Sequence, residues 1–212
     1  MRRLSSDSHA DFTSNGIVIL RTHCTIGAHA NKENTMQTVI QNSLLCTIVS
    51  VCLLAHADPV CQKKSGETIC GKGEIETMGA NGIFRAEQTK FKKRLVIRGQ
   101  AMINDCDIND VKIYGQAVMT GSQVQGRSEI YGHLEAISTQ FKQPLVAHTN
   151  ELRSRGSTFT GMIITPAQSG CHVELQENSC VSGDVVFRGQ PGTVVLSGGS
   201  RITGKIINGK QQ

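Results

Sequence analysis

The strongest pattern along the chain is a stretch of alternating apolar and polar positions that is written twice near the C-terminus. Residues 173–188 align without a gap with residues 194–209, so the second copy starts 21 residues after the first. A fixed period of about 20 residues is short for a helical repeat and fits one coil of a β-solenoid, in which each coil buries its apolar side against its neighbours. The repeat therefore predicts an architecture before it predicts an activity.

A shorter motif, apolar-x-Gly-x-apolar, extends this pattern towards the N-terminus. Its alternation predicts strands with one buried face, which in the first copy carries Ile97, Gly99, Ala101 and Ile103. We interpret the glycine as an inward residue that lets another backbone segment or a bulky side chain approach closely, in preference to a bulge or turn. The sequence thus predicts an all-β, right-handed parallel β-helix (β-solenoid) of about six short coils over residues 92–209. The copies span residues 97–101, 113–117, 130–134, 159–163, 181–185 and 202–206.

The N-terminal part of the chain lacks this pattern. Residues 1–35 are polar and aperiodic and are interpreted as an upstream extension without a domain. Residues 36–57 combine a short apolar run with small residues at Ala55 and Ala57, which is typical of a signal peptide cleaved before Asp58. Lipidation of Cys52 is the alternative. We therefore expect an exported protein, periplasmic, in the cell envelope or secreted, in which residues 58–91 form an N-terminal capping segment.

Composition narrows the set of partners. The formal net charge is +5, aromatic residues make up 4% of the chain and tryptophan is absent. Stacking platforms for sugars or single-stranded nucleic acid depend on exposed rings, so nucleic acid is not an expected partner. A local basic cluster has two readings: lysines that blunt strand pairing at a coil edge, or a surface that attracts anionic phospholipid or lipopolysaccharide. The cluster comprises Lys90, Lys92, Lys93, Arg94 and Arg98.

Five cysteines follow the expected cleavage site. Cys61 and Cys70 lie 9 residues apart in a Gly- and Lys-rich segment, and Cys171 and Cys180 have the same separation around a predicted strand. Because an exported protein meets an oxidising compartment, both pairs are disulfide candidates, with Cys106 left over as a buried or intermolecular thiol. Zinc is the competing reading of four cysteines, but these cysteines include no C-x-x-C pair.

An acidic stretch over residues 104–110 is the main chemical candidate. Asp105, Asp107 and Asn109 have the alternate spacing that starts a calcium-binding loop, but Asp110 stands where such a loop needs glycine. We interpret the stretch as a turn between coils, where Asp and Asn accept left-handed backbone geometry. We expect no metal and no cofactor.

Two further observations bear on catalysis and binding. Pectin-degrading β-helix enzymes use clustered aspartates with a basic residue, and Arg98 and Lys112 lie near the acidic stretch in sequence. His133 and His148 have no accompanying Ser or Cys motif and receive no catalytic role. Residues 137–155 lack the glycine register and are predicted to form a longer loop that leaves the coil, the kind of loop that carries binding.

The compact coils over residues 95–209, about 16 to 22 residues each, resemble those of the bactofilins, the polymer-forming cytoskeletal β-helix proteins of bacteria. The resemblance implies the coil geometry. The predicted function is that of an exported bacterial β-solenoid with a structural or interaction role in the cell envelope and no enzymatic activity. The alternative is a carbohydrate-active enzyme of the pectate-lyase type or a polysaccharide-binding protein. An enzyme needs long loops on several coils, and only residues 137–155 depart from compact coils.

The C-terminal coil, residues 200–208, predicts self-association. Ile202 and Ile206 are expected to lie at the mouth of the core, where no capping element is visible in the sequence. We expect this end to pair with the same end of a second molecule. Because the capping segment blocks the other end, the expected homo-oligomer is a closed dimer instead of an open fibre.

Overall fold

The computed structural model describes residues 60–212, and every regular element in that range is a β-strand. None of the residues described forms a helix long and apolar enough to cross a membrane. The expected upstream extension and signal peptide, residues 1–35 and 36–57, lie outside this range and stay predictions. The strands are β1 (Cys61–Lys64), β2 (Glu67–Cys70), β3 (Gly73–Glu87), β4 (Thr89–Asn104), β5 (Asp107–Thr120), β6 (Gln123–Val124), β7 (Ser128–Ile137), β8 (Gln140–Phe141), β9 (Leu145–His148), β10 (Glu151–Arg155), β11 (Thr158–Phe159), β12 (Met162–Ile164), β13 (Cys171–Gln176), β14 (Cys180–Val181), β15 (Val185–Phe187), β16 (Gly192–Leu196), β17 (Arg201–Ile202), β18 (Ile206–Ile207) and β19 (Gly209–Gln211).

Successive turns of the chain lie directly on one another as a β-solenoid. β1 and β2 are antiparallel, whereas β2 joins β3 in parallel and every later pairing is parallel as well. The predicted parallel β-helix fold is confirmed, with about nine turns instead of six. Its right-handed winding stays a prediction. One inward position followed from turn to turn is Phe84, Ala101, Ala117, Leu134, Leu152, Val173 and Val194.

Three parallel ladders form three faces of the stack. The first face contains the starts of β4 and β5 followed by β6, β8, β11, β14 and β17. The second face contains residues 95–98, 111–114 and 128–131, followed by β9, β12, β15 and β18. The third face contains residues 100–104, 116–120 and 133–137, followed by β10, β13, β16 and β19.

The core is a single column of inward side chains from all three faces. Ile97, Ile113, Ile130 and Leu134 are fully buried, as alternation along the strands requires. Full burial of one such side chain contributes about 1.5–3 kcal/mol. Aromatic rings stack within this column: the ring of Phe141 lies flat on the ring of Phe159 in the next turn, with centroids 4.9 Å apart. The buried stack fixes the positions of the outward side chains that alternate with it.

The motif glycines stand at a sharp corner between the second and third faces, which corrects their interpretation as inward strand residues. Gly82, Gly99, Gly115 and Gly132 have φ values of 90°, 138°, 135° and 133°, a region that L side chains rarely adopt. The predicted close approach is nevertheless present. A Cβ on Gly115 would lie 2.9 Å from the carbonyl carbon of Gly99 and nearer still to its oxygen. The turn reading therefore describes these glycines better than the inward reading.

The six motif copies belong to two different corners. Gly99, Gly115 and Gly132 share the corner just described, whereas the other three glycines lie between the first and second faces. In copy 159–163 the inward residue that pairs with Val185 is Met162, so the copies are not in one register. The same sequence motif therefore occurs at two structurally different corners. Each copy nevertheless marks a different turn, and the predicted number of coils was too low because the turns over residues 67–87 and 140–155 carry no copy that was recognised.

A second repeated device forms the corner between the third and first faces. At this corner a residue with left-handed backbone precedes an inward Ser, Thr or Cys. Ser157 is typical: its hydroxyl donates to the carbonyl of Ala136 and accepts from the amide of Thr139, both at 3.0 Å. The left-handed residue at Asp105 (φ 51°) confirms that the acidic stretch begins with a turn between coils. The inward series is Thr89, Cys106, Ser122, Thr139, Ser157, Ser179 and Ser200.

The N-terminal segment differs from the cap that was expected over residues 58–91. Only β1 stands apart from the parallel stack, because it pairs antiparallel with β2, whereas β2 and β3 already pair in parallel as the first turns of the stack. Ser65 and Gly66, with φ values of 45° and 82°, form the two-residue turn of the hairpin. Cys61 and Cys70 face each other across it and are joined by a disulfide, with their Cα atoms 4.0 Å apart. This pair was predicted from the sequence and is confirmed.

The second predicted cysteine pair does not form. Cys171 begins β13 on the third face and points into the core, whereas Cys180 lies on the first face and is half-exposed. The corner at Glu177 and Asn178 separates the two cysteines, so they lie on different faces and are not opposite each other as Cys61 and Cys70 are across their hairpin. Cys106 is a free, buried thiol, and burial raises the pKa of both Cys106 and Cys171.

Residues 137–155 do not leave the coil as predicted. β8, β9 and β10 lie in this range and continue all three ladders. The glycine corner is replaced here by Thr149 and Asn150. The Thr149 hydroxyl accepts a hydrogen bond from the amide of Glu151 at 3.0 Å, which supports the bend without glycine. The longer excursion from the stack falls later, between β12 and β13.

Replacing Ser128 with alanine is expected to raise the free energy of unfolding by about 1 kcal/mol. Ser128 is fully buried between Val111 and Leu145, and its hydroxyl is a buried side-chain oxygen without a hydrogen-bond partner. Removing that hydroxyl abolishes an uncompensated desolvation cost at almost unchanged volume. Urea denaturation measures the effect, with Ser157→Ala as the matched control. That variant loses the hydrogen bonds to Ala136 and Thr139 and should be destabilised; equal shifts for both variants would contradict the assignment.

Candidate functional site

An aromatic column on the second face is the most organised group of outward side chains. β4, β5, β7 and β9 pair in register, which brings Arg98, Tyr114, Tyr131 and His148 to the same position in four consecutive turns. The tyrosine rings are stacked with centroids 4.9 Å apart and planes inclined by 18°. Tyr131 and His148 are stacked at 4.3 Å and 4°. Arg98 lies 5.5 Å from the centroid of Tyr114, so a cation covers that end of the column.

A charged pair borders this aromatic column. The ammonium group of Lys112 lies 5.3 Å and 5.0 Å from the ring centroids of Tyr114 and Tyr131 and 2.8 Å from a carboxylate oxygen of Glu129. The hydrogen bond with Glu129 raises the pKa of Lys112, and Tyr114 contributes to the same shift. The same hydrogen bond lowers the pKa of Glu129. Both groups are therefore charged at neutral pH, and Lys112 carries no free electron pair for use as a base.

The aromatic column could not be seen from the overall aromatic content, because that number does not show which aromatic residues occupy the same position in consecutive turns. Both tyrosines occupy the x position of the motif, in Ile-Tyr-Gly at residues 113–115 and again at 130–132. Aligning the x positions of consecutive copies would have placed Tyr114 beside Tyr131. The chain contains only these two tyrosines, and they are in direct contact.

The stacking limits what the column can bind. Sugar rings and bases bind to the flat face of an exposed aromatic ring. Both faces of Tyr131 are covered, by Tyr114 and His148, so the column turns its ring edges and hydroxyl groups outward. This geometry leaves no free face of Tyr131 on which a sugar ring could stack.

An apolar row continues the second face towards the C-terminal end. Val146, Ile163, Val186 and Ile207 occupy one outward position in four consecutive turns. The first three are half-exposed, and 44% of Ile207 is exposed. Isolated apolar side chains are common at protein surfaces, whereas a continuous row of them is less common.

The predicted basic cluster is largely matched by acidic side chains of the preceding turn. Lys92 lies 2.5 Å from a carboxylate oxygen of Glu74, and Lys93 lies 3.1 Å from one of Glu76. The pairing raises the pKa of Lys92 and lowers that of Glu74. β4, which carries the cluster, is paired on both sides by β3 and β5, so these lysines do not protect an edge strand. Attraction to an anionic surface stays a prediction, with a weaker local charge to support it.

Two groups of predicted site residues meet in one shallow cavity of about 280 Å³. Lys90 and Lys92 line it together with Asp107 and Asn109. Asp107 accepts a hydrogen bond of 3.1 Å from the side-chain amide of Gln125. This mixture of charges matches neither a bare anion nor a bare cation. Within residues 60–212, no three side chains of the His, Cys, Asp and Glu types are grouped as a metal site.

The remaining candidates lie at the positions that strand alternation dictates. Ile202 and Ile206 are half-buried and pack against the core in the last turn. β17 and β18, which carry them, each pair with one strand of the preceding turn, β14 and β15. His133 lies 3.9 Å from a carboxylate oxygen of Glu151.

Comparison of the chain with protein-family models, with curated proteins and with solved structures found no match. The resemblance to the bactofilins therefore stays a prediction, and the proposals below rest on the geometry alone.

Proposed function

We propose that the protein is an exported structural or interaction protein of the bacterial cell envelope whose solenoid associates with copies of itself. One observation carries the proposal. Within residues 60–212, β17, β18 and β19 are hydrogen-bonded to the preceding turn on one side, and the half-buried Ile202 and Ile206 lie at this end of the core. An open strand edge beside apolar side chains is a surface on which another strand pairs readily.

The export part of this proposal is supported by the disulfide. Cys61 and Cys70 are within bonding geometry across the β1–β2 hairpin, and structural disulfides persist in oxidising compartments. The expected signal peptide over residues 36–57 is consistent with that location.

Replacing Ile206 with lysine is expected to convert an associated protein into a monomer with the β-fold retained. The charge is placed at the end of the core, where a second copy would have to bury it without a partner. Light scattering coupled to gel filtration measures the mass at micromolar concentration, and circular dichroism reports the fold.

Ile207→Lys is the matched control, because Ile207 lies on the same strand but points outward onto the second face. End-to-end association predicts that Ile206→Lys dissociates the oligomer and Ile207→Lys does not. The reverse result would assign the contact to the second face, and a monomeric wild-type protein would contradict self-association altogether.

A further inference from the structure

The tyrosine pair of the aromatic column is arranged for a covalent link between turns. Tyr114 and Tyr131 belong to β5 and β7, which are hydrogen-bonded neighbours, and their side chains leave the sheet on the same side. Their centroid separation of 4.9 Å and interplanar angle of 18° show that the two phenol rings are stacked on each other. The exposed fraction of Tyr114 is 37%, so a diffusible oxidant has access to this pair.

We propose that Tyr114 and Tyr131 are an oxidative cross-linking site that yields an intramolecular dityrosine. A peroxide-driven one-electron oxidant, such as a haem peroxidase with hydrogen peroxide, removes one electron and the hydroxyl proton from each phenol. The two phenoxyl radicals form a carbon–carbon bond between ring positions ortho to their oxygens. Each coupled carbon then loses its hydrogen as a proton and each phenol oxygen takes up a proton, so both aromatic phenols re-form. The protein loses two hydrogen atoms in total, and the peroxide is reduced to two molecules of water.

The stack supplies what this coupling needs. A phenoxyl radical in solution must find a second radical, whereas here the partner ring is held in contact throughout, and such positioning raises rates by large factors. The surroundings also restrict the choice of partner. Arg98 covers the outer face of Tyr114 and His148 covers the outer face of Tyr131, so each tyrosine has the other as its adjacent phenol. Coupling within one molecule is thereby favoured over coupling between molecules.

The link would join two consecutive turns covalently on the second face. It lies far along the chain from the Cys61–Cys70 hairpin, so the two cross-links constrain different parts of the stack. The inference does not depend on self-association, and it holds or fails with the purified monomer.

Tryptic digestion provides a direct test. Cleavage after Lys112, Arg127 and Lys142 places the two tyrosines on separate peptides, residues 113–127 and 128–142. After treatment with peroxidase and hydrogen peroxide, the monomer fraction should yield these two peptides joined, with the loss of two hydrogen atoms, and should show dityrosine fluorescence. Unfolding in urea before oxidation should reduce the joined peptide by about tenfold, because it removes the positioning. Cross-links found only in dimers, or an equal yield from unfolded protein, would overturn the proposal.

Variants of the column test adjacency itself. Tyr131→Phe keeps the ring and should abolish the product. Combining Tyr114→Phe with His148→Tyr restores two phenols in adjacent turns and should restore coupling. Combining Tyr131→Phe with His148→Tyr leaves two phenols separated by one turn and should not. Coupling in the separated variant at the wild-type yield would show that stacking is not the cause.

Discussion

Replacing Gly115 with alanine is expected to lower the free energy of unfolding by about 3 kcal/mol or more. Two costs combine at this position. The backbone has a φ of 135°, which only glycine adopts without strain, and an added Cβ would collide with the carbonyl group of Gly99 in the turn below. Neither Gly115 nor Gly99 has room to move apart, because the backbones of β5 and β4 that contain them are paired with each other.

Gly79→Ala is the matched control for the same methyl addition. Gly79 lies in β3 with ordinary backbone angles, and no atom lies within 4 Å of the position its Cβ would take. This variant should be neutral or slightly more stable, since alanine reduces the conformational freedom of the unfolded chain. Urea denaturation of both variants decides the matter. A Gly115→Ala protein with the wild-type midpoint would show that the corner is not sterically closed.

The fold was predictable from the sequence because the same pattern of buried and exposed residues recurs in successive turns of a solenoid. Alternation around Ile97 and Ile113 identified the strands and their inward apolar side chains correctly, although not the role of the glycines between them. The sequence could not distinguish the two kinds of bend, because glycine occurs both at the corners of a solenoid and at β-bulges. Turns whose corners use other residues, such as Thr149 with Asn150, therefore looked like departures from the repeat although the ladder continues through them.

The first turns were missed for a related reason. Ala80-Asn-Gly-Ile-Phe84 is a further copy of the motif, but it begins with the small residue Ala80, whereas the recognised copies begin with Ile, Val or Phe. The structure shows Ala80 and Phe84 buried on either side of the Gly82 corner, in register with β4. Residues 67–91 are consequently part of the stack, and the cap reduces to β1 and the turn that joins it to β2.

The candidate site was less accessible than the fold, because its features depend on contacts between turns. Tyr114, Tyr131 and His148 are separated by 17 residues at each step and become neighbours only when the exact register is known. The pairing of Lys92 with Glu74 is hidden in the same way. Cys61 and Cys70 were found because their contact is local, across a hairpin turn, whereas the choice for Cys171 required knowledge of which face it occupies.

Replacing both Cys61 and Cys70 with serine is expected to cost about 2–3 kcal/mol and to loosen the N-terminal end first. The disulfide closes a short loop, so its removal returns chain entropy to the unfolded state, and Cys70 is in addition a fully buried side chain that packs on the core. β2 is the first parallel strand of the stack, and β1 is held to it by the hairpin. Trypsin should therefore cut after Lys63 and Lys64 earlier than in the wild-type protein, before the thermal transition.

Two comparisons isolate the disulfide from the substitutions. Reduction of the wild-type protein should reproduce the early cleavage, since it breaks the same bond and leaves both side chains in place. Cys180→Ser, which changes a half-exposed free thiol on the first face, should alter the free energy of unfolding by no more than about 0.5 kcal/mol. If the double variant resists trypsin and heat as well as the wild-type protein, β1 and β2 are held by the ladder with β3 alone, and the disulfide contributes nothing to that end of the solenoid.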